Sequence, residues 1–330
     1  MQSMRQFPAP ALTFLADMKL TILDGMALNP GDLSWKCFSE FAELSVYDTT
    51  PQEEVIARIG DSDAVLLNKI IINEEILSAC KNLKYIGVMA TGYNVIDVKA
   101  VKKAGVTVCN IPAYSTDAVS QHVFALLLNF SNLAVLHNES VQKGDWMKAP
   151  VFCYWKKPLF ELAGKTLGIL GYGNIGKKVE KIAEAFGMKV LVTPHRPNGN
   201  ANCVSQEELF AKSDVISLHV PLTKETEKII DSRNIALMKD GVYIINTARG
   251  GLIDEEAMRQ ALESGKVAGF AADVISEEPM KPGNPLLGAK NCVLTPHLAW
   301  APLETRKRCL DIGLENFKGW LNGRIQNSIY

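Results

Sequence analysis

From Met18 onward, short runs of β-branched and aliphatic residues alternate with longer stretches in which apolar positions return every three or four residues. The runs KLTILD, LSVYD, AVLLN, YIGVMA and VTVCNI predict strands. TPQEEVIARIG and NVIDVKAVKKAG, lying between them, predict helices, the second closed by Gly105 as a C-terminal cap. Strands separated by helices predict parallel layers, since a parallel pair needs a crossover and a helix supplies it. This first alternation ends near residue 112.

Residues 115–144, STDAVSQHVFALLLNFSNLAVLHNESVQKG, predict one long helix that is apolar over too much of its circumference for a solvated face, so it is expected to be buried between domains or between subunits. DWMKAPVFCYWKKPLFELAG then predicts an arm without regular period, whose aromatic residues serve either as an interface or as a small local core. A second alternation follows, with strands at 166–171, 189–192, 214–220, 241–247, 267–273 and 292–295. A helix at 205–213 opens on a capping box from Ser205 to Glu208. The last helix, 303–322, is expected to fold back on the first unit.

The predicted fold class is therefore α/β, with two Rossmann-like, doubly wound parallel-sheet domains. An outer flavodoxin-like domain, discontinuous over 18–114 and 299–330, surrounds an inner dinucleotide-binding domain at 115–298 that includes the helix and arm of about 115–163. Residues 1–17, where Pro8 and Pro10 break a short apolar patch, read as an N-terminal extension rather than a signal peptide.

Composition narrows the function classes. The formal net charge is −1 with 22% charged residues of both signs, which supplies no basic field for nucleic acid or anionic lipid. No run of about 18 apolar residues occurs, so no membrane span is predicted. Seven cysteines without a CxxC pair read as reduced thiols in a cytoplasmic protein. No HExxH occurs, and His122, His137, His195, His219 and His297 are dispersed, so no metal is expected.

KTLGILGYGNIG places an apolar strand directly before Gly171, Gly173 and Gly176, with a helical pattern and the strand KVLV after it. The first glycine suits a tight turn, the second lets the backbone approach a pyrophosphate, and the third lets helix and strand pack closely. The phosphates would then meet a helix N-terminus. The acid that would hold a ribose 2′-hydroxyl after the second strand is replaced by Pro194, His195 and Arg196. His195 and Arg196 could meet a 2′-phosphate instead, so the expected cofactor is NAD(P) with NADP favoured. The alternative is that both are solvated and NAD is held through backbone groups.

Three fragments, NTARGGLIDEEAM, ADVISEEP and LTPHLAW, each begin near the C-terminal end of a predicted strand, the edge at which open α/β sheets collect ligands. An Arg, an acid and a His would face one crevice. Together with GYGNIG they resemble the D-isomer-specific 2-hydroxyacid dehydrogenase family, in its glycerate dehydrogenase or hydroxypyruvate reductase branch, over nearly all of residues 18–330.

The resemblance implies that Arg249, Glu278 and His297 are catalytic, Glu278 being the acid next to Pro279. It implies that Thr116, Gly171, Gly173, Asn174, Ile175, Gly176, His219, Val220, Pro221, Thr226, Thr247, Ala248, Asp273 and His297 line the cofactor, with Asp273 near the nicotinamide amide. It implies that Asn68, Thr91, Gly92, Arg249 and Trp300 meet a small 2-oxo or 2-hydroxy acid, Thr91 and Gly92 through backbone N–H groups. Trp300 reads equally well as core packing. A homodimer through the long helix and the arm is the family expectation.

The resemblance implies a site that reduces hydroxypyruvate or glyoxylate. The forked Arg249 grips a carboxylate or carbonyl oxygen, His297 moves the proton, and Glu278 orients the imidazole. Two rivals remain: an NAD(H)-sensing binding protein on the same scaffold, and a relative acting on phosphoglycerate, lactate or formate. The acid–base pair argues against formate.

Overall fold

The alternation resolves into two parallel sheets in a computed structural model that describes residues 18–193 and 202–330. The chain divides into two compact units, one formed by residues up to Tyr114 together with Ala301–Tyr330, the other by Ser115–Trp300.

In the first unit β1 (Lys19–Ile22), β2 (Glu43–Val46), β3 (Ala64–Leu67), β4 (Tyr85–Val88) and β5 (Thr107–Cys109) form a sheet ordered β2-β1-β3-β4-β5, the flavodoxin-like order. β3 and β4 are buried throughout, as a strand covered on both faces must be. Helices α1 (Val55–Ile59), α2 (Glu74–Ala79) and α3 (Val98–Ala104) join Val65, Leu67, Ile86, Val88 and Val108 in one core. Asn73 caps α2 by accepting from the Ile76 amide, Asp97 caps α3, and Gly105 closes α3 at φ +70°.

The second unit contains α4 (Thr116–Asn132), α5 (Ala134–Gln142), β6 (Thr166–Leu170), α6 (Asn174–Ala185), β7 (Lys189–Thr193), α7 (Gln206–Lys212), β8 (Val215–Leu218), α8 (Ser232–Leu237), β9 (Val242–Asn246), α9 (Glu255–Ser264), β10 (Val267–Ala272) and β11 (Cys292–Leu294). Its sheet is ordered β11-β10-β9-β8-β6-β7, every pair parallel. Strand residues of alternate parity feed two cores. Leu167, Ile169 and Val215 pack with residues of α4 and α6, whereas Leu170, Ile216 and Leu218 pack with those of α7, α8 and α9. Each such buried aliphatic side chain contributes about 1.5–3 kcal/mol. β6 lies between β7 and β8, so the chain order reverses at its carboxyl end, where the glycine-rich loop begins.

α10 (Leu303–Leu321) belongs to the first unit and lays Phe317 and Trp320 on Tyr85, with ring centroids 5.6 and 5.0 Å away. Its Arg306 is buried and forks onto both oxygens of Asp32 at 2.6 Å.

Three expectations need correction. The single helix over 115–144 is two helices, bent by 55° where Leu133 takes φ +49°. An L-residue in that region costs about 1–2 kcal/mol, and His137 offsets it locally. The imidazole Nε2 accepts from the Lys156 amide, so Nδ1 carries the proton and donates to the Leu133 carbonyl at 2.8 Å. The capping box at Ser205 is half formed: the hydroxyl accepts from the Glu208 amide, but the Glu208 carboxylate turns to Lys212. The arm forms no separate core of its own: Met147 and Phe152 are each 87% exposed and Trp155 is 66% exposed, whereas Phe160 and Leu162 at its far end pack into the core shared by α4 and β6.

No single helix among the described residues is long and apolar enough to cross a membrane. The 1–17 extension lies outside the described residues, as do Pro194, His195 and Arg196.

Candidate active site

Adjacent strands β9, β10 and β11 end side by side, and each releases one reactive side chain at its carboxyl end. After β9, fully buried Asn246 builds the turn that carries Arg249. Its carboxamide oxygen accepts from the Ala248 amide at 3.0 Å, and its amide group donates to the Arg249 carbonyl at 2.8 Å. Arg249 itself donates to the Ala248 carbonyl, so its fork is held close to its own turn.

After β11 the chain reaches His297 in the left-handed region, φ +53°. The His297 amide donates to the Asp273 carbonyl at 2.8 Å, and the Trp300 indole N–H donates to the His297 carbonyl at 2.8 Å. Trp300 thus ties down the turn that bears the imidazole.

The His297 Nδ1 lies 2.6 Å from Glu278 Oε2. A carboxylate only accepts, so Nδ1 carries the proton and Nε2 is the atom left for substrate. The two side chains are 28% and 33% exposed, open enough to be reached. Glu277, the neighbouring acid, pairs with Lys281 instead.

Asp273 does more than the sequence suggests. Its carboxylate is 1% exposed and accepts from Thr295 Oγ1 at 2.6 Å, from the Leu298 amide at 2.9 Å and from the Ala299 amide at 2.8 Å. Because Thr295 gives its proton to Asp273, the His122 Nε2 that lies 3.0 Å from Thr295 Oγ1 must be the donor there. His122, Thr295 and Asp273 form one chain of bonds under the His297 turn. A reading of Asp273 as a nicotinamide contact alone misses these bonds, and His122, one of several polar residues in α4, carries no sequence signal that singles it out.

The glycine loop fits a dinucleotide. Gly171 takes φ +97°, and a Cβ there would lie 2.6 Å from the His219 carbonyl, so the loop is pressed against the His219–Val220 backbone. A Cβ on Gly176 would lie 2.4 Å from the Gly171 oxygen. A Cβ on Gly173 would meet nothing within 4 Å, which is the open space a pyrophosphate needs. Among the described residues no side chain caps the start of α6 at Asn174 and Ile175, so its first N–H groups are available to an anion. Thr247 Oγ1 is buried without a hydrogen-bond partner among the described residues, an orphaned group of the kind that a cofactor satisfies.

The other residues expected to line the cofactor have local partners of their own. The His219 imidazole is largely enclosed and lies 2.8 Å from Ser217 Oγ, and desolvation pushes its pKa down to about 3. His219 therefore offers backbone, not a charge, to the loop. Thr226 spends its hydroxyl on the Pro221 carbonyl and the Thr223 amide, closing its own turn. Thr116 opens α4, and Ala248 sits in the Asn246 turn.

In the first unit, Asn68 and the Thr91–Gly92 segment follow β3 and β4, again at carboxyl ends. Asp24 accepts from the Asn68 and Lys69 amides at 2.7 Å each, and Asn68 Nδ2 donates to the Met89 carbonyl at 3.2 Å. Burial pushes the Asp24 carboxyl up, while those two amides act the other way. Thr91 turns its hydroxyl to the Ile111 carbonyl.

Comparison with known proteins shows the family of the chain. Residues 124–299 match the family described as D-isomer specific 2-hydroxyacid dehydrogenase, NAD binding domain. A hydroxypyruvate reductase of Blautia hydrogenotrophica is 49% identical over 320 residues, covering 94% of this chain and 99% of its own. A glycerate dehydrogenase of Methylorubrum extorquens is 39% identical, covering 94% and 98%. Among solved structures, an acyclic imino acid reductase in complex with NADPH and D-Arg superposes with a TM-score of 0.84 at 33% identity, covering 95% of this chain and all of its own.

Proposed function

The chain belongs to the D-isomer-specific 2-hydroxyacid dehydrogenase family, and from that premise we propose that it reduces a small 2-oxo acid, hydroxypyruvate or glyoxylate, to D-glycerate or glycolate. The observation that carries the reading is the 2.6 Å bond between His297 Nδ1 and Glu278, set at the strand edge that also bears Arg249 and the glycine loop.

When bound, the reduced nicotinamide supplies the hydride. Gly171, Gly173, Gly176 and the first amides of α6 hold its pyrophosphate, with Thr247 and the backbone of His219 and Val220 beside it. Arg249 presents a permanently charged fork to the carboxylate or carbonyl oxygen of the oxo acid. His297 donates a proton from Nε2 to the carbonyl oxygen and takes it back in the reverse direction. Glu278 keeps the imidazole in the tautomer that leaves Nε2 facing substrate. In the first unit, Asn68 and the amides of Thr91 and Gly92 are the proposed donors to a carboxylate.

The proposed cofactor preference is NADP, because Pro194 stands where a ribose-binding acid would be and His195 and Arg196 follow it. The exposed Met147, Phe152 and Trp155 support a homodimer in which a second copy covers the arm.

Initial rates with hydroxypyruvate and glyoxylate, each measured with NADPH and NADH, test the assignment. Turnover with either oxo acid and a higher kcat/KM for NADPH are expected. Tight binding of coenzyme without turnover of any 2-oxo acid would replace the enzyme by a nicotinamide-sensing protein.

A further inference from the structure

Residues 273–291 form neither helix nor strand, yet this loop must hold the Glu278 carboxylate within hydrogen-bond reach of His297. Long irregular loops need such fixing from outside. One end of the answer is Gly250, directly after Arg249. A Cβ there would lie 1.8 Å from the carbonyl carbon of Ile275 and 2.3 Å from the Ser276 nitrogen, so the Arg249 turn lies flat on the loop.

The other end is Glu255, the first residue of α9. Capping of α9 falls to Asp254, whose side chain accepts from the Ala257 amide, and this leaves the Glu255 carboxylate free to leave its helix. It accepts from the Ser276 amide at 2.8 Å, from Ser276 Oγ at 2.8 Å and from Asn284 Nδ2 at 2.9 Å. One residue before Ser276, the Ile275 amide donates to Glu278 Oε1 at 3.3 Å, while Glu278 Oε2 meets His297.

We propose that Glu255 is a positioning residue: by clamping Ser276 and Asn284 it fixes the loop that aims Glu278 at His297, and it does so from the same short segment that carries Arg249. Substrate grip and proton relay are thereby set by one piece of chain, residues 249–255. The proposal rests on the acid–base pair assigned above, but it can be read without substrate.

The test is the proton resonance of the His297 Nδ1–H in protein labelled with nitrogen-15 histidine, identified by its loss in His297→Ala. A short bond to a carboxylate places that proton downfield and protects it from exchange. In Glu255→Ala the resonance is expected to broaden or vanish, and kcat to fall about ten- to hundredfold with coenzyme KM unchanged. Glu255→Gln, which keeps one acceptor for the Ser276 amide, should recover most of both. Ser276→Ala, which removes one of the three bonds by another route, should show a smaller loss of the same kind.

A sharp, unshifted resonance in Glu255→Ala together with kcat within about twofold of the parent overturns the proposal, even if the melting temperature drops. Because the spectrum is taken without substrate, failure to turn over any oxo acid would count against the functional reading and leave the clamp standing or falling on the resonance.

Discussion

Thr295 stands between His122 and Asp273, its hydroxyl 3.0 Å from the imidazole Nε2 of the one and 2.6 Å from the carboxylate of the other. The same carboxylate holds the Leu298 and Ala299 amides, so the turn bearing His297 is built on a buried acid that is itself tied to α4. Thr295→Val keeps the shape and removes the bridge. It should cost about 1 kcal/mol in denaturant unfolding and lower kcat severalfold, with coenzyme KM unchanged. An altered coenzyme KM would instead show that Asp273 meets the nicotinamide through this network.

The reactive pair is tested by removal. His297→Ala should reduce turnover by about two to four orders of magnitude while coenzyme binding, followed by nicotinamide fluorescence, survives. Arg249→Lys should be almost as damaging, since a point charge cannot reproduce the fork. Unchanged kcat and KM in Arg249→Lys would take Arg249 out of the substrate site.

Two glycines separate stability from binding. Gly250→Ala pushes a methyl into the Ile275 backbone and should lower stability by at least about 1–3 kcal/mol. Gly173→Ala places its methyl in open space, so the melting temperature should hold while coenzyme affinity falls about tenfold or more. Equal affinity in Gly173→Ala would mean that the phosphates lie elsewhere.

His219 gives a pH dependence of definite sign. Its folded pKa is about 3 and its unfolded value about 6.5. Above the unfolded value both states are neutral and stability is independent of this group. Below it the unfolded chain binds a proton that the folded one refuses, so stability falls toward pH 3 by up to about 1.4 kcal/mol per unit. Unfolding free energies between about pH 6 and pH 4 should therefore slope less steeply in His219→Gln than in the parent.

Much of this was written in the chain at the level of pattern. Strand–helix alternation is enforced by burial of parallel sheets on both faces, and the glycine loop and the three strand-end fragments carry residue types that few other roles demand. What escaped were single polar residues whose meaning is purely spatial. His122 lies in α4 and acts on a turn 173 residues away, and Glu255 looks like any acid at a helix start. The break at Leu133 escaped for a related reason, since a leucine in a helical pattern gives no sign of positive φ. Cofactor preference was read from His195 and Arg196, which fall outside the described residues.

The most direct measurement is the fate of the hydride. With hydroxypyruvate and NADPH deuterated at the transferring carbon, the account predicts D-glycerate carrying deuterium on the hydroxyl-bearing carbon, formed by the parent and lost in His297→Ala. Unlabelled product, the L-isomer, or undiminished formation in His297→Ala would contradict it.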